Sequence, residues 1–232
     1  ANRLITALML VLGALGVVSG ELMAWRARDL TRMLAYSSIG QLGLVFVAFS
    51  IPGEAGMLAG LAVALHHLLV KPALFMLADG WGGSLERLTG AARRSPLAGA
   101  LFVLFALSLI GIPPLPGFWA KLLTVVGLAQ QAQPLYWLAL AAVLLATVIK
   151  VGYLLPLIAR LYAQPDSATV SAGHPLRSIA VSTLAGVLLI AAIVRIIPLG
   201  EGLDAIAAQA ADPAQTVAAV FPGDVFPDGS AK

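Results

Sequence analysis

Six apolar runs decide what this 232-residue chain can become. A helix needs about 20 apolar residues to cross roughly 30 Å of hydrocarbon, and runs near that length fall at about 4–25, 34–50, 56–78, 97–130, 135–160 and 178–199. Only 11% of residues are charged and 60% are hydrophobic, whereas soluble domains average about 25% charged. The expected fold is therefore all-α: a polytopic membrane bundle of about six crossings, one of them a broken helix. The first run lacks the short apolar region and small-residue cleavage site of a signal peptide, so it reads as a true span.

The fourth run is too long and is interrupted. Residues 111–121 read GIPPLPGFWAK. Proline has no N–H and clashes with the preceding turn, so Gly111, Pro113, Pro114, Pro116 and Gly117 mark a helix break between half-helices expected at 97–112 and 117–130. Broken helices leave polar backbone at depth, which membrane proteins tolerate where it lines a cavity or serves an ion site. The alternative is a tight turn at the surface.

Ionisable residues inside apolar runs point to proton or ion pathways. His66, His67 and Lys71 lie in HHLLVKPALF in the third run, Lys121 follows the break, and Lys150 lies in the fifth. His67 and Lys71 are four apart and share a helix face. Pro72 is expected to free a carbonyl in the preceding turn. The structural alternative is a histidine pair bonding between helices beside a lysine that reaches an interface. Lys150 either continues a polar track or approaches an interface, with Tyr153 and Pro156 nearby. Arg195 and Glu21 lie close to span ends and read as residues reaching the interface, Glu21 towards Arg26 and Arg28. Desolvation disfavours any ammonium ion, and two charges about 8 Å apart at an effective dielectric of about 20 couple by roughly 2 kcal/mol. A row of such groups joined by water can therefore pass a proton along.

Other chemistry finds little support. HExxH, GxSxG and GxxxxGK[ST] motifs are missing, and no cysteine is present. His66, His67 and His174 lack carboxylate companions at metal-ligand spacing, so neither a metal nor another cofactor is expected. The net charge of +3 falls mostly at span edges and does not suggest nucleic acid. With six crossings, loops one, three and five carry Arg26, Arg28, Arg32, Arg87, Arg93, Arg94, Arg160 and Arg177. Positive charge marks the cytoplasmic side, which places both termini outside a plasma membrane (inner membrane). Counting 97–130 as two full crossings would split this set. Trp25, Trp81, Tyr136, Trp137 and Tyr162 are expected at the interfaces. Residues 81–96 read as a solvated loop, the alternative being a short segment lying on the cytoplasmic surface. Domain boundaries are expected only near 200, with a transmembrane bundle over 1–200 and an extracytoplasmic amphipathic segment and disordered tail over 201–232.

Three motifs carry a resemblance: RDLTRMLAYSSIGQLGLV (28–45), LHHLLVKPALFMLADG (65–80) and LSLIGIPPLPGFWAKLL (107–123). In order and spacing the chain resembles the antiporter-like subunits shared by respiratory complex I and Mrp-type Na+/H+ antiporters. HHLLVK and DPAQTVAAV look most like the D-type component of the Mrp antiporter. The resemblance implies a fourteen-helix fold with two inverted repeats of five helices, of which this chain looks like the second repeat plus the last helix. It implies that Lys121 matches the lysine or glutamate of the second broken helix, Lys71 the central lysine of helix eleven, and His67 the histidine one turn before it. His66 and Lys150 match no equally firm family position. The first repeat, with its glutamate on helix five and lysine on helix seven, is not in this sequence. A sequence opening on Ala1 suggests a fragment, or a split product that assembles with that N-terminal half and with other subunits. The implied function is a proton-translocating subunit of a multisubunit Na+/H+ antiporter, without catalytic chemistry of its own. The alternatives are the equivalent subunit of complex I or of a membrane hydrogenase, and a non-conducting membrane scaffold.

Overall fold

The computed structural model describes residues 3–164 and 176–194, and every long element among them is a helix. The order is α1 (Arg3–Arg26), α2 (Leu30–Phe49), α3 (Gly53–Gly80), a 3-10 turn (Glu86–Leu88), α4 (Ala91–Arg94), α5 (Pro96–Ile110), α6 (Pro116–Ala129), α7 (Pro134–Tyr162) and α8 (Leu176–Val194). Five of these are long and apolar enough to cross a membrane, and α5 and α6 are shorter apolar helices. The interrupted fourth run thus forms one broken element beside five unbroken ones, as the apolar pattern implies. Arg195, His174 and the segment after residue 200 lie outside the described residues.

Local chemistry sets the boundaries. Asp29 caps α2 by accepting from the Arg32 N–H at 2.9 Å, which satisfies one of the helix's orphan donors. α5, α6 and α7 each begin with proline, whose missing N–H costs nothing at that position. Large apolar side chains stay exposed on α1 (Leu4, Leu8, Leu15) and α7 (Leu138, Val148), as expected where the surrounding solvent is lipid.

Close helix packing comes from glycine. A Cβ on Gly13 would lie 2.8 Å from the Gly43 carbonyl oxygen, and one on Gly43 would lie 2.6 Å from that of Gly13. Bare backbone on both sides therefore lets α1 and α2 touch, and in membranes such small-residue contacts replace the hydrophobic drive that lipid removes.

The buried apolar residues divide into two cores. One holds Leu34, Val70, Leu77, Trp81, Phe102, Phe105 and Leu154, and the other Val17, Leu44, Val47, Ile51, Val63, Leu128 and Val143. Along each of α1, α2, α3 and α7 the chain passes from one core to the other. Glu21, Gln41, His66, Lys71 and Lys150 fall at or beside that change. Buried polarity thus forms a transverse layer between two apolar slabs.

Loops one, three and the start of five meet at one end. The Leu30 N–H donates to Gly83 O at 2.7 Å, the Gly90 N–H to Arg160 O at 3.1 Å, and Arg93 Nε to Tyr162 O at 3.3 Å. This agrees with grouping their arginines on one side. The expected solvated loop over 81–96 is corrected, however: Trp81, Leu88, Ala91 and Ala92 are buried, and Trp81 meets Phe102 edge-on at 5.5 Å. Two aromatics assigned to an interface belt are also corrected. Trp81 is interior, and Tyr136 is buried with its hydroxyl donating to Ser50 O at 3.0 Å, whereas Trp25, Trp137 and Tyr162 are exposed.

Candidate functional site

The broken helix is built by proline chemistry. α5 stops at Ile110 because Gly111 adopts φ 89°, a left-handed cap that glycine takes without steric cost. The carbonyl of Ile110 would ordinarily accept from the residue three or four positions on. Those residues are Pro113 and Pro114, and neither has an N–H. Lys121 supplies the missing donor, its Nζ lying 2.7 Å from Ile110 O. The break covers 111–115 rather than 113–116, since Gly111 ends α5 early and Pro116 and Gly117 form the first turn of α6, so the half-helices are Pro96–Ile110 and Pro116–Ala129.

His66 ties α3 to this break. Its Nε2 shares a 2.8 Å hydrogen bond with Ser108 Oγ, and the Gly117 N–H donates to the same hydroxyl at 3.4 Å. Gly117 has no room for a side chain, because a Cβ there would meet Ser108 O and would lie 2.8 Å from His66 Nε2. His66 is thus the histidine that contacts the break, although the family motif points to His67. The His67 ring is partly buried, and its Nδ1 has no hydrogen-bond partner among the described residues.

Lys71 is 3% exposed, and its Nζ donates to Leu34 O on α2 at 2.9 Å. A lysine reaching an interface would be wet, so that alternative does not describe it. Pro72 does not end the helix: α3 runs through it to Gly80.

The fifth-run lysine settles on the polar side of its two alternatives. Lys150 is 4% exposed and donates to Gln41 Oε1 and Glu21 Oε1, each at 3.0 Å. Glu21 is 1% exposed, which corrects its expected placement at an interface beside Arg26 and Arg28. α1 turns it inward to Lys150 and Tyr153, whose hydroxyl donates to Glu21 Oε2 at 2.7 Å. Tyr153 is likewise interior. A buried ion pair of this kind needs further hydrogen bonds to its remaining lone pairs and protons, and Gln41 supplies one to Lys150 and Tyr153 one to Glu21.

Glu21, Gln41, Lys121, Thr147 and Lys150 line one cavity of about 10 Å³, close to the minimum of about 10–15 Å³ that holds a single water. The cavity, whose other walls include Val17, Leu44 and Val143, brings the broken-helix lysine and the ion pair to one common space. Ser108, Gln41 and Glu21 are the members that sequence reasoning did not assign to the site. Among the described residues, no group of three His, Cys, Asp or Glu side chains is arranged to hold a metal ion.

With this geometry in place, the comparisons are specific. Residues 1–150 match the family described as NADH:quinone oxidoreductase/Mrp antiporter, TM, a segment that includes all five lysine and histidine candidates. The chain is similar to NADH-quinone oxidoreductase subunit 14 of Thermus thermophilus, at 34% identity over 192 residues covering 78% of this chain and 42% of that one. It is similar to a chain of the membrane-bound sulfane sulfur reductase, an archaeal respiratory membrane complex, with 30% identity and a TM-score of 0.81 over 93% of this chain and 44% of that one. A chain of the Mrp complex from Dietzia sp. shares the fold, with a TM-score of 0.82 at 22% identity over 94% of this chain and 50% of that one. The chain spans less than half the length of the curated relatives it matches.

Proposed function

This chain belongs to the NADH:quinone oxidoreductase/Mrp antiporter transmembrane family, and on that premise we propose that it is a proton-translocating unit of a multisubunit membrane complex. The observation that carries the reading is the polar layer itself. Lys71 and His66 on α3, Lys121 on α6 and Lys150 on α7 sit between two apolar cores, three of them buried and Lys121 partly so. Ionisable groups at such depth are costly and mark charge pathways. Protons would pass along Lys71, His67, His66 and Lys121, with Lys150 held in its ion pair. The broken helix contributes polar backbone beside Lys121.

The complex is most simply a redox-driven one of the complex I type. Relatives at 30% identity or more include NADH-quinone oxidoreductase subunits. On this reading the other subunits carry the redox cofactors, and the chain stands as the second repeat and last helix of an antiporter-like subunit in a plasma membrane, with the arginine-rich end cytoplasmic. A second reading, the Mrp-type Na+/H+ antiporter, rests on HHLLVK and DPAQTVAAV. Inverted vesicles carrying the assembled complex separate the two. The first reading expects acidification driven by NADH, and the second a pH response to added Na+. In either case Lys71→Met should abolish the response, and wild-type acidification by that variant would refute translocation through this layer.

A further inference from the structure

The proton path proposed above ends at Lys121, with no group assigned to take the proton on. Every group in it is a lysine or a histidine, yet the layer holds one carboxylate. Glu21 is the only buried acid among the described residues. It lines the same cavity of about 10 Å³ as Lys121, a volume at the lower limit of about 10–15 Å³ for one bridging water. Its position is built. Gly40 on α2 leaves the space its carboxylate occupies, since a Cβ there would lie 2.6 Å from Glu21 Oε1. Tyr153 holds Oε2 at 2.7 Å, and Lys150 holds Oε1 at 3.0 Å.

We propose that Glu21 is the acceptor of the Lys121 proton, through a single water in this cavity. The claim rests on the translocation reading and adds a residue to it. In the step, a Lys121 Nζ–H bond breaks, the proton crosses the water, and an O–H bond forms on Glu21 Oε1. Ammonium and carboxylate become amine and carboxylic acid, so charge and atoms balance. Lys150 keeps its charge and its hydrogen bond to Gln41 throughout. Its part is positioning: it holds the carboxylate at the cavity and returns it to the ionised state once the proton moves on.

The competing explanation is that Glu21 only neutralises Lys150. The two differ in the double variant Glu21→Gln/Lys150→Gln, which removes the ion pair as a unit. We expect Glu21→Gln to slow proton flux in vesicles carrying the assembled complex by roughly 100-fold, the scale of a positioned proton-transfer group. Lys150→Gln should keep a measurable part of the flux, and the double variant should stay as slow as Glu21→Gln. Infrared difference spectra of the complex during turnover should contain a carboxylic-acid C=O band that Glu21→Gln removes. Restored flux in the double variant, or a band unchanged by Glu21→Gln, would overturn the proposal. Should Glu21→Gln fail to assemble, Glu21→Asp carries the test: its shorter reach should slow flux, and wild-type flux would refute the acceptor role. Lys121→Ala runs in parallel. If that variant keeps full flux, the translocation reading itself fails, a result distinct from failure of Glu21 alone.

Discussion

Lys121 donates to the carbonyl of Ile110 at 2.7 Å, so a side chain from the second half of the broken element caps the first half. Pro113 and Pro114 leave that carbonyl without a backbone donor. Lys121→Met should therefore lower the stability of the purified complex by about 1–3 kcal/mol, the cost of a buried acceptor left unmet. Chemical unfolding followed by tryptophan fluorescence checks it.

Lys71 should behave in the opposite way. Its acceptor, Leu34 O, also receives the Ser38 hydroxyl at 3.0 Å and is not orphaned when the lysine goes. Replacing a lone buried ammonium with an apolar side chain of similar volume relieves its desolvation cost and here strands no partner. Lys71→Met is expected to hold or raise the unfolding midpoint while proton flux is lost. A clear fall in stability would mean that Lys71 has a structural task.

Much of this was legible in the sequence. The apolar runs counted the crossings, and the prolines located the break to within a few residues. Lys71 and Lys121 stood out because each interrupts a run that lipid would otherwise reject. Glu21 was not legible: it stands five residues from Arg26, and linear proximity to loop arginines suggested an interface. Its partner Lys150 is 129 positions away (150 − 21). Spans that are apolar on all sides give no hydrophobic stripe from which to read the inward face. The same blindness hid the burial of Trp81 and Tyr136, whose residue types suit both interface and core.

The two adjacent histidines should separate. His66 bonds to Ser108 at 2.8 Å, whereas His67 Nδ1 has no partner among the described residues. His66→Ala should destabilise by about 1–3 kcal/mol through the unmet serine and the lost packing. His67→Ala should unfold close to wild type and show its effect in proton flux. Paired unfolding and flux measurements test this, and equal destabilisation by both would contradict the assignment.

Gly117 is the tightest point of the break. Alanine there would press on Ser108 O and approach His66 Nε2 to 2.8 Å. Overpacking of a filled site costs about 1–3 kcal/mol. The expected result for Gly117→Ala is a lower thermal midpoint with reduced flux, checked by melting the purified complex. An unchanged midpoint would show that α6 shifts freely against α5.

The central claim is that protons cross by way of Lys121. The most direct measurement is proton flux in vesicles carrying matched amounts of assembled complex, wild type against Lys121→Ala. Loss of flux with assembly intact is the predicted result. Full flux in Lys121→Ala would make the break architectural and would support the scaffold reading instead.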